Sequence, residues 1–289
     1  CLVGSEMCIR DRFKSLLSFD NIEVVKIAVK NINKPRNIEG LDNSIVTDKP
    51  FEVVNDPEVD IVVELIGGVE PAFELIKTAI KNGKHIVTAN KELLAKKGEE
   101  LFNYAEEHNR VILYEAAIAG GIPIIMPIKT ILAGNKITRI EAILNGTTNY
   151  ILTKMDVQGA SYENVLKEAQ DLGYAETNPT GDVEGFDAAY KITTLATLAF
   201  KKRIKLENVY REGITHIRAQ DMHAANDLGY KIKLIASAYL DDDNRADVRV
   251  HPMLVSKKST LAHIDYVTNA VSLSCLLYTS PSPRDMRRS

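Results

Sequence analysis

From Ile22 onward the chain alternates β-branched apolar runs with amphipathic stretches, and this alternation constrains the fold more than any other feature. "IEVVKIAV" and "VDIVVELIGG" are bounded by polar loops, as buried strands should be. "PAFELIKTAIKNG" carries proline at its start, apolar residues at helical spacing and glycine at its stop. "HIVTAN" predicts a short strand, "KELLAKKGEELFNYAEEHN" an amphipathic helix and "VILYEAAI" a further strand. Repeated strand–helix units with continuous apolar strands predict a parallel sheet covered by helices, the doubly wound, Rossmann-like α/β class.

The pattern changes near Gly120. "NKITRIEAILNG" reads as a strand, "TTNYILTKM" and "SYENVLKEAQDLG" as helices, and "GFDAAYKITTLATLAFKK" as a long helix. "YKIKLIASAYL" and "RADVRVHPMLV" flank an Asp/Asn-rich turn, as a hairpin would. A dinucleotide-type domain over 13–118 and a second α/β domain over 119–274, with an antiparallel or mixed sheet, are expected.

Composition excludes several classes of function. A net charge of −3 without a basic run gives no nucleic-acid footprint. No apolar run approaches the roughly 20 residues that span a bilayer, and the N-terminus lacks a signal-peptide pattern. Cys1, Cys8 and Cys275 lie at the extremes, so the body has no disulfide framework or cysteine metal site, which fits a reducing, cytoplasmic compartment.

The two ends resemble one stretch of DNA read on opposite strands. Codons for Leu2 to Asp11, reverse-complemented and read with an extra base in front, encode Cys275 to Arg284. Residues 1–12 and 275–289 are therefore expected to be translated sequencing-adapter tails, and the natural protein is expected to extend past both ends. No G-x-G-x-x-G occurs, so "IEVVKIAV" stands as the second strand of a nucleotide domain whose first strand and Gly-rich loop are missing. In that place a basic residue favours a 2′-phosphate. Lys30 at the strand end, with Lys34 and Arg36 beyond it, points to NADP, with NAD as the second choice. A solvated basic loop is the alternative.

Candidates for chemistry cluster in two places. "VTANKELLA" puts Lys91 directly after a strand at a helix start, the carboxyl edge where doubly wound folds bind ligands. A lysine there opposes the helix dipole, which suits contact with an anionic cofactor or substrate, although an exposed surface lysine is the commoner case. "GYAETNPTGDVEGFDAAYK" sets Glu176, Asp182, Glu184 and Asp187 in a Pro/Gly-broken loop, with Lys191 one helical turn past the last. Asp187 and Lys191 can pair on one face. A surface pair would be worth under ~1 kcal/mol, but "ITTLATLAF" after Lys191 reads as a buried helix, where a lysine among acids can transfer protons. The acids suit a substrate ammonium or a divalent cation. Neither D-x-D-x-D-G spacing nor a histidine partner supports the metal. His216 and His223, expected on one helix, read as surface or core.

In order, "VVELIGGVEPA", "VTANKELLA", "YEAAIAGGIPI", "LNGTTNYIL", "GYAETNPTGDVEGFDAAYK" and "HPMLV" resemble the homoserine dehydrogenases, over about Ile22 to Val271. The resemblance implies that Lys191 is the active-site proton donor to the aldehyde oxygen. It implies that Glu176 binds the homoserine amino group, and that Asp182 and Asp187 orient substrate and lysine. Lys91 would be a further catalytic residue near the nicotinamide, touching cofactor and substrate, with Ile66 and Gly67 in the turn against the dinucleotide. Glu115, Ile118, Gly120 and Ile122 would bind a monovalent cation such as sodium, largely through main-chain oxygens. The implied reaction is NAD(P)-dependent interconversion of L-homoserine and L-aspartate 4-semialdehyde by a homodimer, in the route to threonine, methionine and isoleucine. The alternatives are another Rossmann-type oxidoreductase and a non-catalytic fragment that keeps the dimerisation surface. The body has no cysteine for an acyl-forming semialdehyde dehydrogenase.

Overall fold

The computed structural model describes residues 2–4, 22–34, 38 and 40–276. The chain divides into two compact units at Gly120/Gly121.

The first unit is a six-stranded, wholly parallel sheet. Its strands are β1 (Leu2–Gly4), β2 (Ile27–Ala28), β3 (Val46–Thr47), β4 (Ile61–Leu65), β5 (His85–Thr88) and β6 (Ile112–Leu113), in the order β3-β2-β1-β4-β5-β6. The helices are α1 (Pro50–Asn55), α2 (Ala72–Lys81) and α3 (Lys91–Glu107). Val53, Ile76, Ile80, Ile86, Leu93 and Leu101 are fully buried between these layers.

Three expectations are corrected here. The first-strand position is filled: Leu2 and Val3 pair with Ile27 and Ala28 on one side, and Leu2–Gly4 with Val63–Leu65 on the other. The slot between β2 and β4 offers two rows of main-chain groups, and Leu-Val-Gly can complete both ladders whatever its origin. The segment in which a Gly-rich loop would follow, 5–21, lies outside the described residues. "IEVVKIAV" supplies only Ile27–Ala28 as ladder, and "VILYEAAI" only Ile112–Leu113, after which Glu115–Ala117 turn into a 3₁₀ helix. The apolar run of β4 is not buried on both faces: Val62 and Glu64 are buried while Ile61 is exposed.

The second unit is a five-stranded sheet with helices packed on it. The strands β7 (Lys136–Ile143), β8 (Tyr210–Arg211), β9 (Tyr230–Leu240), β10 (Ala246–Ser256) and β11 (Ala270–Leu276) lie in the order β11-β7-β9-β10-β8. Every pairing is antiparallel except β8 with β10, so the sheet is mixed. The β9–β10 hairpin turns at the Asp/Asn-rich segment, with Asp241 N–H donating to the Arg245 carbonyl at 3.0 Å. α4 (Ile125–Lys129), α5 (Gly146–Gln158), α6 (Tyr162–Asp171), α7 (Thr180–Val183), α8 (Phe186–Phe200) and α9 (Ala219–Asp227) complete the unit. α8 packs on β7, β9 and β10, and its Ala188, Ile192, Leu195, Ala196 and Ala199 are buried.

The tail expected from Cys275 begins inside a strand. β11 runs through Cys275 to Leu276, and its register against β7 breaks between Ser274 and Cys275. An edge ladder continues as long as the chain can pair, and the bulge absorbs the change of sequence. The two histidines do not share a helix: His223 is on α9, whereas His216 precedes it and pairs with Glu212 at 3.0 Å.

Candidate active site

The polar cluster of the second unit is built where β7 hands over to α5. The strand ends at Ile143 and the chain turns through Leu144 and Asn145. Asn145 has extended backbone angles, and its side-chain Oδ1 accepts from Thr148 N–H at 2.8 Å. It is the N-cap of α5, satisfying a donor the helix leaves unpaired. Gly146 must be glycine for packing: a Cβ there would sit 2.9 Å from the Val267 carbonyl oxygen.

α8 brings the acid and the amine to that turn. Lys191 Nζ donates to the Leu144 carbonyl at 2.7 Å and to Asp187 Oδ2 at 2.7 Å. The pair is buried, with side-chain exposures of 15% for Lys191 and 5% for Asp187. It is therefore not a solvated surface pair. Asn145 Nδ2 donates to Asp187 Oδ2 at 2.9 Å and to Asp182 Oδ1 at 2.7 Å. Three of the residues singled out in the sequence, Asp182, Asp187 and Lys191, thus converge on one turn.

The loop that carries them is fixed from below. Gly185, the residue before α8, has φ +78, where a side chain would be strained. The Arg211 guanidinium lies 3.6 Å from the Phe186 ring centroid and donates to the Glu184 carbonyl. Glu184 Oε1 accepts from the Thr215 hydroxyl at 3.1 Å, so this acid is a strut and not a member of the cluster. Glu176 is exposed, and its main-chain carbonyl accepts from Gln170 Nε2 at 3.1 Å. Burial pushes the Tyr162 phenol up to about 12, with the charges of Glu184 and Glu163 adding to the effect, so it stays neutral.

In the first unit the carboxyl edge is organised by a residue that carried no signal as a site. Glu64, 1% exposed at the end of β4, accepts from Ile66 N–H at 2.7 Å and Gly67 N–H at 3.3 Å, and from the Thr88 hydroxyl at 2.6 Å. Asn90 caps α3 by accepting from Leu93 N–H and donates to the Gly68 carbonyl at 2.7 Å. The carboxylate holds the turn after β4 and, through Thr88, the turn after β5. Gly67 and Gly68 have φ of +82 and +72, and a Cβ at Gly67 would meet nothing within 4 Å. The turn is shaped by its backbone and left open, which fits a dinucleotide lying against Ile66 and Gly67. Lys91 is the first residue of α3, directly after the Asn90 cap. Lys30 and Lys34 are exposed just past β2, while Arg36 lies outside the described residues.

Glu115, Ile118 and Gly120 lie at the end of the first unit, and Ile122 is the second residue of the other. Burial pushes the neighbouring Tyr114 phenol up to about 12, and the Glu115 charge adds to the effect. Among the described residues no group of three or more His, Cys, Asp or Glu could hold a metal ion. Nor is any helix among them long and apolar enough to cross a membrane.

A parallel sheet in the order β3-β2-β1-β4-β5-β6 is the arrangement of a dinucleotide-binding domain, and the mixed-sheet unit with its buried lysine–carboxylate pair fits the catalytic domain of a nucleotide-dependent dehydrogenase. The profile "Homoserine dehydrogenase, NAD binding domain" matches residues 7–115, and "Homoserine dehydrogenase" matches 123–281. The chain belongs to the homoserine dehydrogenase family. It is 47% identical over 253 residues to the homoserine dehydrogenase of Synechocystis sp., a match covering 86% of this chain and 58% of that protein. With that of Bacillus subtilis it is 43% identical over 250 residues, covering 86% and 57%. The structure of a homoserine dehydrogenase from Thiobacillus denitrificans superposes with a TM-score of 0.87 at 43% identity, covering 95% of this chain and 65% of that one. A hyperthermophilic archaeal homoserine dehydrogenase in complex with NADPH gives 0.77 at 25%, covering 96% and 88%. The chain therefore spans 58% and 57% of the two curated relatives' lengths.

Proposed function

We propose that the protein interconverts L-homoserine and L-aspartate 4-semialdehyde with a nicotinamide dinucleotide. The observation that carries this reading is the buried Asp187–Lys191 pair at the β7–α5 turn, beside Asp182. The nicotinamide, when bound, supplies or accepts the hydride at substrate C4. Lys191 delivers a proton from Nζ to the carbonyl oxygen in the reducing direction and takes it back in the other. Asp187 and the Leu144 carbonyl aim that amine. Glu176, exposed on the loop before α7, meets the substrate ammonium.

Ile66, Gly67 and Lys91 contact the dinucleotide, and Lys30 with Lys34 favours a 2′-phosphate, hence NADP over NAD. The NADPH bound by the archaeal relative supports that preference. Main-chain oxygens of Glu115, Ile118, Gly120 and Ile122 hold a monovalent cation such as sodium. The protein works as a homodimer through its second unit. A cytoplasmic site agrees with a body free of cysteine between Cys8 and Cys275.

The test is spectrophotometric. NADPH oxidation is followed with L-aspartate 4-semialdehyde, on this chain and on the longer natural protein, for the wild type and Lys30→Ala. Turnover with a kcat/KM ratio favouring NADP, reduced in Lys30→Ala, supports the reading. A folded natural protein that turns over neither direction refutes it and leaves the non-catalytic alternative.

A further inference from the structure

The geometry points to Asn145 as a positioning residue of this reaction: its amide clasps Asp182 and Asp187 together, and so aims Lys191. The inference rests on the function proposed above. Asn145 is 5% exposed, and its side chain is used at both ends. Oδ1 accepts from Thr148 N–H and from the Thr148 hydroxyl, each at 2.8 Å. A main-chain N–H can only donate, so the oxygen must face Thr148 and the NH₂ must face the acids; the amide cannot be the other way round. The NH₂ then reaches Asp182 Oδ1 at 2.7 Å and Asp187 Oδ2 at 2.9 Å.

Two carboxylates within hydrogen-bond reach of one atom repel each other unless a donor stands between them, and Asn145 Nδ2 is such a donor. The oxygen it holds on Asp187 is the one that accepts from Lys191 Nζ at 2.7 Å. A rotation of the Asp187 carboxylate would therefore carry the amine with it. The main-chain carbonyl that completes the hold on Lys191 belongs to Leu144, the residue before Asn145. One turn of backbone thus positions both acids and the amine.

A helix cap alone is the competing role, and it can be separated. Serine and aspartate cap helices about as well as asparagine. Asn145→Ser keeps a cap but is too short to reach both acids. Asn145→Asp keeps the cap and the length but replaces the donor with a third acceptor. A capping role predicts wild-type kinetics in both variants. The clasp predicts that kcat for L-homoserine oxidation falls about 10- to 100-fold in both, the size of a lost charge-assisted hydrogen bond. Aspartate should be the worse, while KM for the dinucleotide stays within about twofold and circular dichroism is unchanged.

A second readout does not need turnover. Acetic anhydride modification of Lys191 is measured by peptide mass mapping against the exposed Lys167 in the same molecule. An added carboxylate at position 145 favours the ammonium form, so the Lys191/Lys167 labelling ratio in Asn145→Asp should fall about threefold or more. If the wild type shows no turnover, the proposed function fails, and the labelling ratio still decides the clasp. An unchanged ratio in Asn145→Asp, or kcat within about twofold of wild type in both variants, overturns it.

Discussion

Lys191 Nζ and Asp187 Oδ2 lie 2.7 Å apart on the buried side of α8, one helical turn from each other. A lysine whose amine meets a carboxylate and a main-chain carbonyl is oriented as a proton donor, not only as a charge. Lys191→Ala should lower kcat about 100-fold or more, the usual loss for a general acid. Lys191→Arg keeps the charge, but a guanidinium does not deprotonate near neutral pH, so it should not restore turnover. Steady-state rates for the two variants check both statements. Wild-type turnover in Lys191→Ala removes the residue from the mechanism.

Glu176 makes a different kind of prediction because it is exposed and apart from the Asn145 clasp. If it only recognises the ammonium, its loss weakens ground and transition states alike. Glu176→Ala should raise KM for L-homoserine about 10-fold or more, the value of one hydrogen bond to a charged group, and leave kcat within about threefold. A fall in kcat with KM unchanged would assign Glu176 to the chemical step.

Much of this was legible in the sequence, for physical reasons that differ by residue. Asp187 and Lys191 were readable because four residues on a helix bring two side chains to one face, and the apolar "ITTLATLAF" announced burial. The hairpin over β9 and β10 followed from two β-rich runs about an Asp/Asn turn. Asn145, within "LNGTTNYIL", carries no chemical signal of its own in the sequence. Its cap signature, asparagine ahead of an apolar helix, was visible, whereas its bonds to Asp182 and Asp187 join segments some 40 residues apart that no local pattern connects. Glu64 was hidden for a similar reason: one acid in "VVELIGG" reads as a break in a buried strand until Thr88 and two main-chain N–H groups surround it. β2 and β6 are shorter than their apolar runs because such runs record burial, and the ladder needs a paired neighbour as well.

The second unit contains a buried lysine outside the proposed chemistry, and it makes stability depend on pH. Lys233 is 2% exposed and donates to Asp265 Oδ1 at 2.8 Å, the Ile264 carbonyl at 2.6 Å and Asn149 Oδ1 at 3.1 Å. Burial lowers the Lys233 pKa, and Asp265 offsets only part of that. Burial also works to raise Asp265, but the hydrogen bond from Lys233 and the charges of Lys233 and Lys231 outweigh it, so the carboxyl ends below its ordinary value of 3.8. A depressed carboxyl stabilises the fold above its unfolded pKa, and the contribution is lost as pH falls through the folded value. Asp265→Asn should therefore cost about 2 kcal/mol at neutral pH, less than a fully buried pair because Asp265 is partly exposed. The gap from wild type should close in strong acid. Denaturant unfolding curves of both proteins from pH 2 to 7 measure it, and a gap independent of pH contradicts the pairing.

Gly213 links the fold to the site through packing alone. A Cβ at this position would stand 2.5 Å from the Val183 carbonyl oxygen and 2.7 Å from Glu184 Cα, both main-chain atoms that cannot rotate away. Ile214 N–H donates to that same Val183 carbonyl at 2.8 Å, so relief of the clash must break the bond or shift the segment between α7 and α8. This segment carries Asp182 at one end and leads through Gly185 to Asp187 at the other. Gly213→Ala should destabilise the protein by about 1–3 kcal/mol, as overpacking does. It should also lower kcat, because the two acids would no longer meet Asn145 at hydrogen-bond distance, whereas Gly181→Ala, with nothing within 4 Å of its Cβ, should leave stability within about 0.5 kcal/mol. Thermal melts and rates for the two alanine variants check the contrast. Equal stability and equal rates would show that the α7–α8 junction yields without moving the acids.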